Sequence, residues 1–426
     1  MKRLLIVFPN MRIPFLLDTC SELDVEVVAV IEPGQQAISG PLIDSGRLMA
    51  FEEAEWRRAC SPKSRLIDRF AEMHAVDGIL TADEPTVAAV AAATHRLELA
   101  GPSVESVLAA RSKERRAAVL ADANLSPRQV ALPLGAPPAE FVRAFEALGR
   151  DVVVKPASGY AGTGVTRVVD FSSLLFAVAH VERLYDGILA VESRVEDEDG
   201  RTISGVVIEE FLTGSEFAVE TAVDASGRAV AVAWGSKGRA CGPHFQEAPY
   251  VSPGRLDPEA ADGLFAAAEG ACMALGLNST MAHVELRVDA PGQFKVIDLG
   301  PRVGGSGVVD WLSRRAFGVS VCQTAIGLAL GDEVALSRPG PPTLVAANFV
   351  IPVGDAGTFA GIDGLDRALD ARRATFLPLM DLGARIPAWP TWGGYVGFVL
   401  SEHDDFAQVE ELHGLLEREV FVRCDP

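Results

Sequence analysis

Long apolar runs are missing from this 426-residue sequence, and none approaches the length needed to cross a bilayer. A positive balance is missing as well. With 38 Lys and Arg against 58 Asp and Glu the formal net charge is −20, which argues against nucleic acid or an anionic membrane as the main partner, since both select a positive surface. A small anionic ligand in a local basic pocket stays open. The six cysteines (Cys20, Cys60, Cys241, Cys272, Cys322, Cys424) show no CxxC spacing, so they read as reduced thiols rather than a disulfide frame or a zinc site. No Gly-x-Gly-x-x-Gly follows the first strand-like run, so the dinucleotide fingerprint is absent. There is no internal repeat and no low-complexity tract. The opening MKRLLIVFPN carries too short an apolar run before Pro9 for a signal-peptide core, suits a first β-strand, and leads to the expectation of a cytoplasmic protein.

What is present is the mix of an ordinary globular chain, 49% hydrophobic and 23% charged, long enough for two or three domains. The first hundred residues alternate strand-like pieces (LLIVF, VEVVAVIE, DGILTAD) with helical spacing around 12–23, 52–73 and 85–98, a pattern that favours a parallel sheet with flanking helices. A helical segment is expected over 103–123. Residues 151–169 read as strand, glycine-rich loop, strand; 205–224 as two strands around Thr213-Gly214; 258–276 as an amphipathic helix; and 279–299 as a hairpin. Beyond the PGPP linker at 339–342 lies a further α+β region.

The hairpin AHVELRVDAPGQFKVIDL has Pro291-Gly292 at its centre. Pairing symmetric about that centre puts Glu285 opposite Asp298 and His283 opposite Gly300, with Arg287 and Arg302 on the same face. Val284, Leu286, Ile297 and Leu299 would then form an apolar face. Two carboxylates roughly 5 Å apart at Cβ repel unless a cation lies between them, and a hard divalent ion with oxygen ligands is the natural occupant. A surface hairpin whose acids pair with Arg287 and Lys295 would have the same sequence. In KPASGYAGTG, glycines 159, 162 and 164 leave backbone N–H groups able to cradle phosphate, with Lys155 as a point charge. No Gly-Lys-Ser/Thr closes this loop, so it is not a P-loop, and a plain flexible turn is the alternative. Glu209, Glu210 and Glu216 flank a strand end that could offer backbone groups to an adenine and a carboxylate to ribose, or could be an ordinary strand pair.

In this order the pieces SKERRAAVLADANLSP, KPASGYAGTG, VVIEEFLTGSE and AHVELRV…FKVIDLGPRVGG resemble the ATP-grasp superfamily over almost the whole chain. Within it they are most similar to carboxylate–amine ligases of the L-amino acid (dipeptide) type. The resemblance implies an α/β and α+β architecture, the ATP-grasp fold. Its parts would be an N-terminal Rossmann-like domain (1–105), a linker helix and small lid (106–205), and a larger C-terminal α+β domain (206–426) with a closing subdomain from about 343. It implies that Lys113 and Lys155 contact the triphosphate, that the loop with Ser158, Gly159, Gly162 and Gly164 closes over it, that Glu210 and Leu212 meet adenine through backbone groups, and that Glu216 binds ribose. It further implies that Glu285 and Asp298 hold Mg²⁺, with Mn²⁺ as an alternative, and that Arg302 stabilises the reacting oxygens. The segment SKGRACGPHFQEAPYVSP resembles a substrate-side strand and loop, which makes His244 and Glu247 candidates for contact with small carboxylate and amine substrates, and the resemblance adds Arg287 of the hairpin and Gly305 of the glycine pair after it.

Departures are visible too. Asp298 stands where Glu is common, Gly300 where Asn is common, and Pro249-Tyr250 where Gly-His is common. For Arg302 a structural ion pair with Asp310 or Glu285 is the alternative, and for His244 a loop histidine without a role. The implied chemistry is ADP-forming amide synthesis through an acyl phosphate. A thiol or hydroxyl acceptor and a non-catalytic nucleotide sensor are the other readings, and a homodimer is compatible with all three.

Overall fold

The computed structural model describes residues 1–31, 47–50, 59–160, 162–187, 189, 195–197, 199–237, 249–290, 292–352, 356–370, 373–386 and 395–425. The N-terminal strands β1 (Arg3–Val7), β2 (Glu26–Ile31), β3 (Leu48–Ala50) and β4 (Gly78–Thr81) form a parallel sheet in the order β3-β2-β1-β4. Leu4, Leu5, Ile6 and Val7 are all buried, as expected for a strand covered on both faces. Helices Phe15–Glu22, Leu66–His74 and Val87–Arg96 supply the cover.

The helical stretch expected over 103–123 is two helices, Val104–Arg111 and Lys113–Ala121. Ser112 breaks it by turning extended, and its side chain accepts from the Arg115 N–H. Ser103 caps the first helix in the same way. The break sets Lys113 at the start of the second helix, where its N–H donates to the Ala157 carbonyl (3.0 Å) beside the glycine-rich loop.

A second, antiparallel sheet has the order β5-β8-β6-β7, from β5 (Gln129–Leu132), β6 (Val152–Pro156), β7 (Thr166–Val168) and β8 (Val206–Glu210). The smaller unit therefore runs past residue 205, because β8 pairs with both β5 and β6. It has its own core, in which Phe141, Phe145, Val154, Leu174, Val178 and Ile208 pack between the sheet and helices Pro138–Ala147 and Phe171–Asp186.

The largest sheet collects β9 (Glu216–Val223), β10 (Ala229–Ser236), β11 (Tyr250–Ser252), β12 (Thr280–Ala290), β13 (Gln293–Gly300), β14 (Val345–Pro352), β16 (Ala374–Pro378) and β18 (Tyr395–His403) in the order β13-β12-β9-β10-β11-β14-β18-β16. The region after 343 thus extends this sheet, and β15 (Gly357–Asp363), β17 (Arg385–Ile386) and β19 (Phe421–Asp425) form a small sheet of their own. On one face of the large sheet, helix Pro258–Ala274 buries Leu264, Phe265 and Ala268 against Val219, Ala231, Val284 and Leu286. The other face meets helices Val308–Phe317 and Val321–Ala329 and the N-terminal domain through Leu16, Val232, Val309, Ile326 and Phe398. Among the described residues no helix is long and apolar enough to cross a membrane.

The separate core of the smaller unit gives a stability prediction. Phe145 is buried there and meets Phe171 edge-on at 5.4 Å between ring centroids. Phe145→Ala should cost about 3–5 kcal/mol, the usual scale for a buried ring. Hydrogen exchange should show the loss first in β5, β6 and β8, while amides of β9 and β12 stay protected.

Candidate functional site

The site begins with the β12–β13 ladder. Glu285 pairs with Asp298 and His283 with Gly300, as symmetric pairing requires. Toward the turn the register slips by one, so that Leu286 opposes Val296 and Arg287 opposes Lys295. Ile297 is the extra residue, a β-bulge. The expected apolar face is corrected accordingly: Val296, not Ile297, packs with Val284, Leu286 and Leu299, and Ile297 turns to a cavity wall. On its other side β12 pairs with β9, setting His283 beside Glu220, Glu285 beside Ala218 and Arg287 beside Glu216.

Each carboxylate of the central pair has cationic neighbours. Glu285 is bonded by Lys237 and lies 3.3 Å from His283 Nε2; Asp298 Oδ1 accepts from Arg116 Nη1 at 2.7 Å. Burial pushes both acids up, but Lys237 and His283 hold Glu285 well below the usual range, and Lys113 and Arg116 bring Asp298 down to about 2. His283 also bonds Glu220, whose other oxygen accepts the Gly304 N–H at 3.1 Å. Burial lowers the pKa of His283, but Glu220 and then Glu285 raise it further, to about 9. The alternative of a surface hairpin does not hold: Lys295 donates to Asn124 and Arg287 to Glu216.

Two buried lysines face this ladder, Lys155 from β6 of the smaller sheet and Lys113 from the start of the helix Lys113–Ala121. Lys155 Nζ lies 2.7 Å from Glu209 and 3.3 Å from the Ile297 carbonyl. Lys113 lines the same cavity, and burial lowers its pKa to about 8 against the pull of Asp298. Gly159 and Gly162 also line it. Ser158 and Gly164 lie behind that wall: the Ser158 hydroxyl donates to the Ile203 carbonyl (2.8 Å), and a Cβ at Gly164 would come 2.6 Å from Leu184. Glu210 accepts from Arg128 through its carboxylate while its N–H donates to the Arg128 carbonyl. Arg287 grips Glu216 through Nε and Nη2 (3.1 and 2.8 Å) and the Leu212 carbonyl through Nη1 (3.0 Å). Arg287 is therefore bonded at the Leu212–Glu216 end of the cavity.

Arg302 and Gly305 line the cavity near Asp298. Arg302 pairs neither with Asp310, which takes Arg314 at 2.6 Å, nor with Glu285; its partner is Glu84 of the N-terminal domain. His244 and Glu247 lie outside the described residues. The whole cavity is about 530 Å³ and also reaches Tyr250, Asn348, Tyr395 and Phe398.

Sequence reading missed Glu84, Arg116, Glu220 and Lys237. Only Glu220 carried a local signal: strand alternation places it on the face of Glu216, where a buried acid needs a partner. Among the described residues no group of three or more His, Cys, Asp or Glu is arranged to hold a metal ion. The two opposed, ionised carboxylates open to the cavity would suit a hard divalent ion, which prefers oxygen ligands.

A cavity between a small antiparallel sheet with a glycine loop and a carboxylate-bearing ladder of a larger sheet defines the ATP-grasp fold, and residues 148–310 match the ATP-grasp domain family. Across its full length (100% of this chain, 99% of the other) the chain resembles the crystal structure of an L-amino acid ligase from Bacillus licheniformis, with a TM-score of 0.84 and 28% identity. It is 26% identical over 290 residues to the alanine–anticapsin ligase of Bacillus amyloliquefaciens, a match spanning 64% of this chain and 58% of that ligase, less than two thirds of its length. Over 137 residues, 32% of this chain and 16% of the other, it is 30% identical to human carnosine synthase 1.

ATP-grasp ligases use ATP with a divalent metal, and a triphosphate bound beside Lys113 would sense the protonation of its ammonium. Its ammonium is cationic below about 8 and neutral above. Affinity for ATP should therefore be flat near pH 7 and fall about tenfold by pH 9, with proton uptake on binding in that upper range. Calorimetry in buffers of different ionisation enthalpy measures both, and Lys113→Met should remove the pH dependence.

Proposed function

We propose that the protein is an ATP-dependent carboxylate–amine ligase that releases ADP and phosphate, acting in the cytoplasm on amino acids or a small related acid and amine. The observation that carries this reading is the pairing of Glu285 with Asp298 in a cavity that has Lys113 and Lys155 on one side and Arg302 on the other. The names of the full-length structural neighbour and of the alanine–anticapsin ligase support it.

Lys113, Lys155 and the backbone of the glycine loop bind and orient the triphosphate. Ile297 and Leu212 wall the nucleotide end, and Glu216, held by Arg287, faces the ribose. Glu285 and Asp298 would hold Mg²⁺, which when bound neutralises charge on the phosphates. A substrate carboxylate oxygen attacks the γ-phosphorus, the bond to the ADP oxygen breaks, and an acyl phosphate results. An amine nitrogen then attacks the acyl carbon, phosphate leaves, and the nitrogen gives up a proton. Arg302 bonds oxygens on which charge builds during transfer. The smaller unit, with its independent core, closes over the water-labile acyl phosphate.

A screen of amino-acid pairs for phosphate release, with nucleotides separated by chromatography, tests the reading. ADP and phosphate in step with amide product are expected; AMP and pyrophosphate would overturn it, and a thiol or hydroxyl needed as acceptor would move it to another ligase class. No ADP release with any acid and amine would leave a nucleotide sensor, the reading favoured by the missing oxygen donor at Gly300. In the active protein Arg302→Lys should lower kcat by at least about a hundredfold, the scale of one lost oxyanion donor. ATP affinity measured directly should change far less. Asp298→Asn should cut turnover sharply with the fold intact by circular dichroism.

A further inference from the structure

Glu84 enters the site from the N-terminal domain, where it opens the short helical turn Glu84–Thr86 after β4. It is buried and lines the cavity. One carboxylate oxygen accepts from Arg111 Nη1 and the other from Arg302 Nε. Burial pushes its pKa up, yet Arg302 and Arg111 outweigh burial and keep it below the usual carboxylate range. Arg302 Nη1 donates to the Val303 carbonyl at 2.8 Å, so the guanidinium is pinned at two of its three nitrogens.

Gly300 lies directly against this carboxylate. A Cβ built there would sit 2.6 Å from Glu84 Oε2 and 3.2 Å from its carboxyl carbon. Its backbone gives no reason for glycine: it is a strand residue paired with His283 and is not among the positive-φ positions. Space is therefore the reason, and the space is filled by Glu84.

We propose that Glu84 is the positioning residue for Arg302, and that Gly300 is what gives its carboxylate room, so that a side chain at 300 and Glu84 in its present seat exclude each other. Arg302 is anchored in this arrangement from another domain, through a carboxylate that need not touch substrate. Arg111 stands behind it as a second cation, with its own Nη2 buried and without a hydrogen-bond partner among the described residues. The Glu84 carboxylate is thus shared between two guanidiniums, that of Arg302 facing the cavity and that of Arg111 behind it.

The test is a double-mutant cycle in the full-length chain, read by melting temperature, by direct ATP affinity and by phosphate release. Gly300→Ala keeps every charge and adds one methyl. It should lower Tm by about 2–4 °C, the scale of overpacking in a chain of this size. It should also lower kcat at least about tenfold, with ATP affinity within about twofold of the parent. Glu84→Asp is one methylene shorter and withdraws the clashing oxygen. In that background Gly300→Ala should cost less than half as much Tm. Additive losses, or parental Tm and kcat for Gly300→Ala, would overturn the exclusion. Glu84→Gln should depress kcat without weakening ATP binding; kcat within twofold of the parent, or an equal loss of ATP affinity, would overturn the positioning role. The turnover arm rests on the ligase reading, whereas the Tm cycle does not. Coupled Tm values in a chain that turns over no substrate would uphold the exclusion and count against that reading instead.

Discussion

Two carboxylates held side by side in a β-ladder repel each other, and the fold supplies the cations that make Glu285 and Asp298 tolerable neighbours. Their compensation comes from every direction: Lys237 from just past β10, His283 from the same strand as Glu285, Arg116 from the helix after Ser112, and Lys113 one turn before it. None of these groups is close to the pair in sequence except His283. The ladder therefore acts as a point of assembly, where the linker helix and the large sheet satisfy one charge problem together, with the smaller sheet bonded alongside through Lys155 to the Ile297 carbonyl. Removing one cation leaves a part-buried negative charge less well compensated, which is costlier than losing an ordinary surface pair.

The N-terminal domain has no nucleotide fingerprint, and its role lies in its edges. Glu84 and Asp83 after β4, with Asn10 and Ile13 after β1, reach the cavity from strand ends on one side of the parallel sheet. This is the usual place for ligands at such a sheet, at the carboxyl ends of its strands. Here that edge is turned to a shared cavity and contributes a buried acid to an arginine of another domain.

Much of the architecture was legible because periodicity is local. The parallel sheet followed from alternation, and the opposition of Glu285 and Asp298 from a turn with an evident centre. The slip at Ile297 was not legible, since a bulge preserves apolar character and changes only direction. The break at Ser112 was hidden within apolar helical spacing, although a serine three residues before the residue it caps is the kind of signal that marks it. Glu84, Arg116 and Lys237 were out of reach for another reason. Their partners lie 218, 182 and 48 residues away, and no spacing rule connects them. Gly300 was noticed as a departure, but its meaning depends on a side chain from a different domain.

The bulge at Ile297 divides β13 into two stretches of opposite parity. On the turn side, even-numbered Phe294 and Val296 face the apolar core; past the bulge, odd-numbered Leu299 does, and even-numbered Asp298 faces the cavity. One strand thus carries two independent phases. The part near the turn can follow the demands of packing against helix Pro258–Ala274, and the part from Asp298 onward can follow those of charge, with a single residue absorbing the mismatch. An insertion or deletion on the turn side that is taken up at this joint leaves the acid, the glycine and the arginine pointing as they do, so the hairpin tip is free to vary in length while the reactive end keeps its aim.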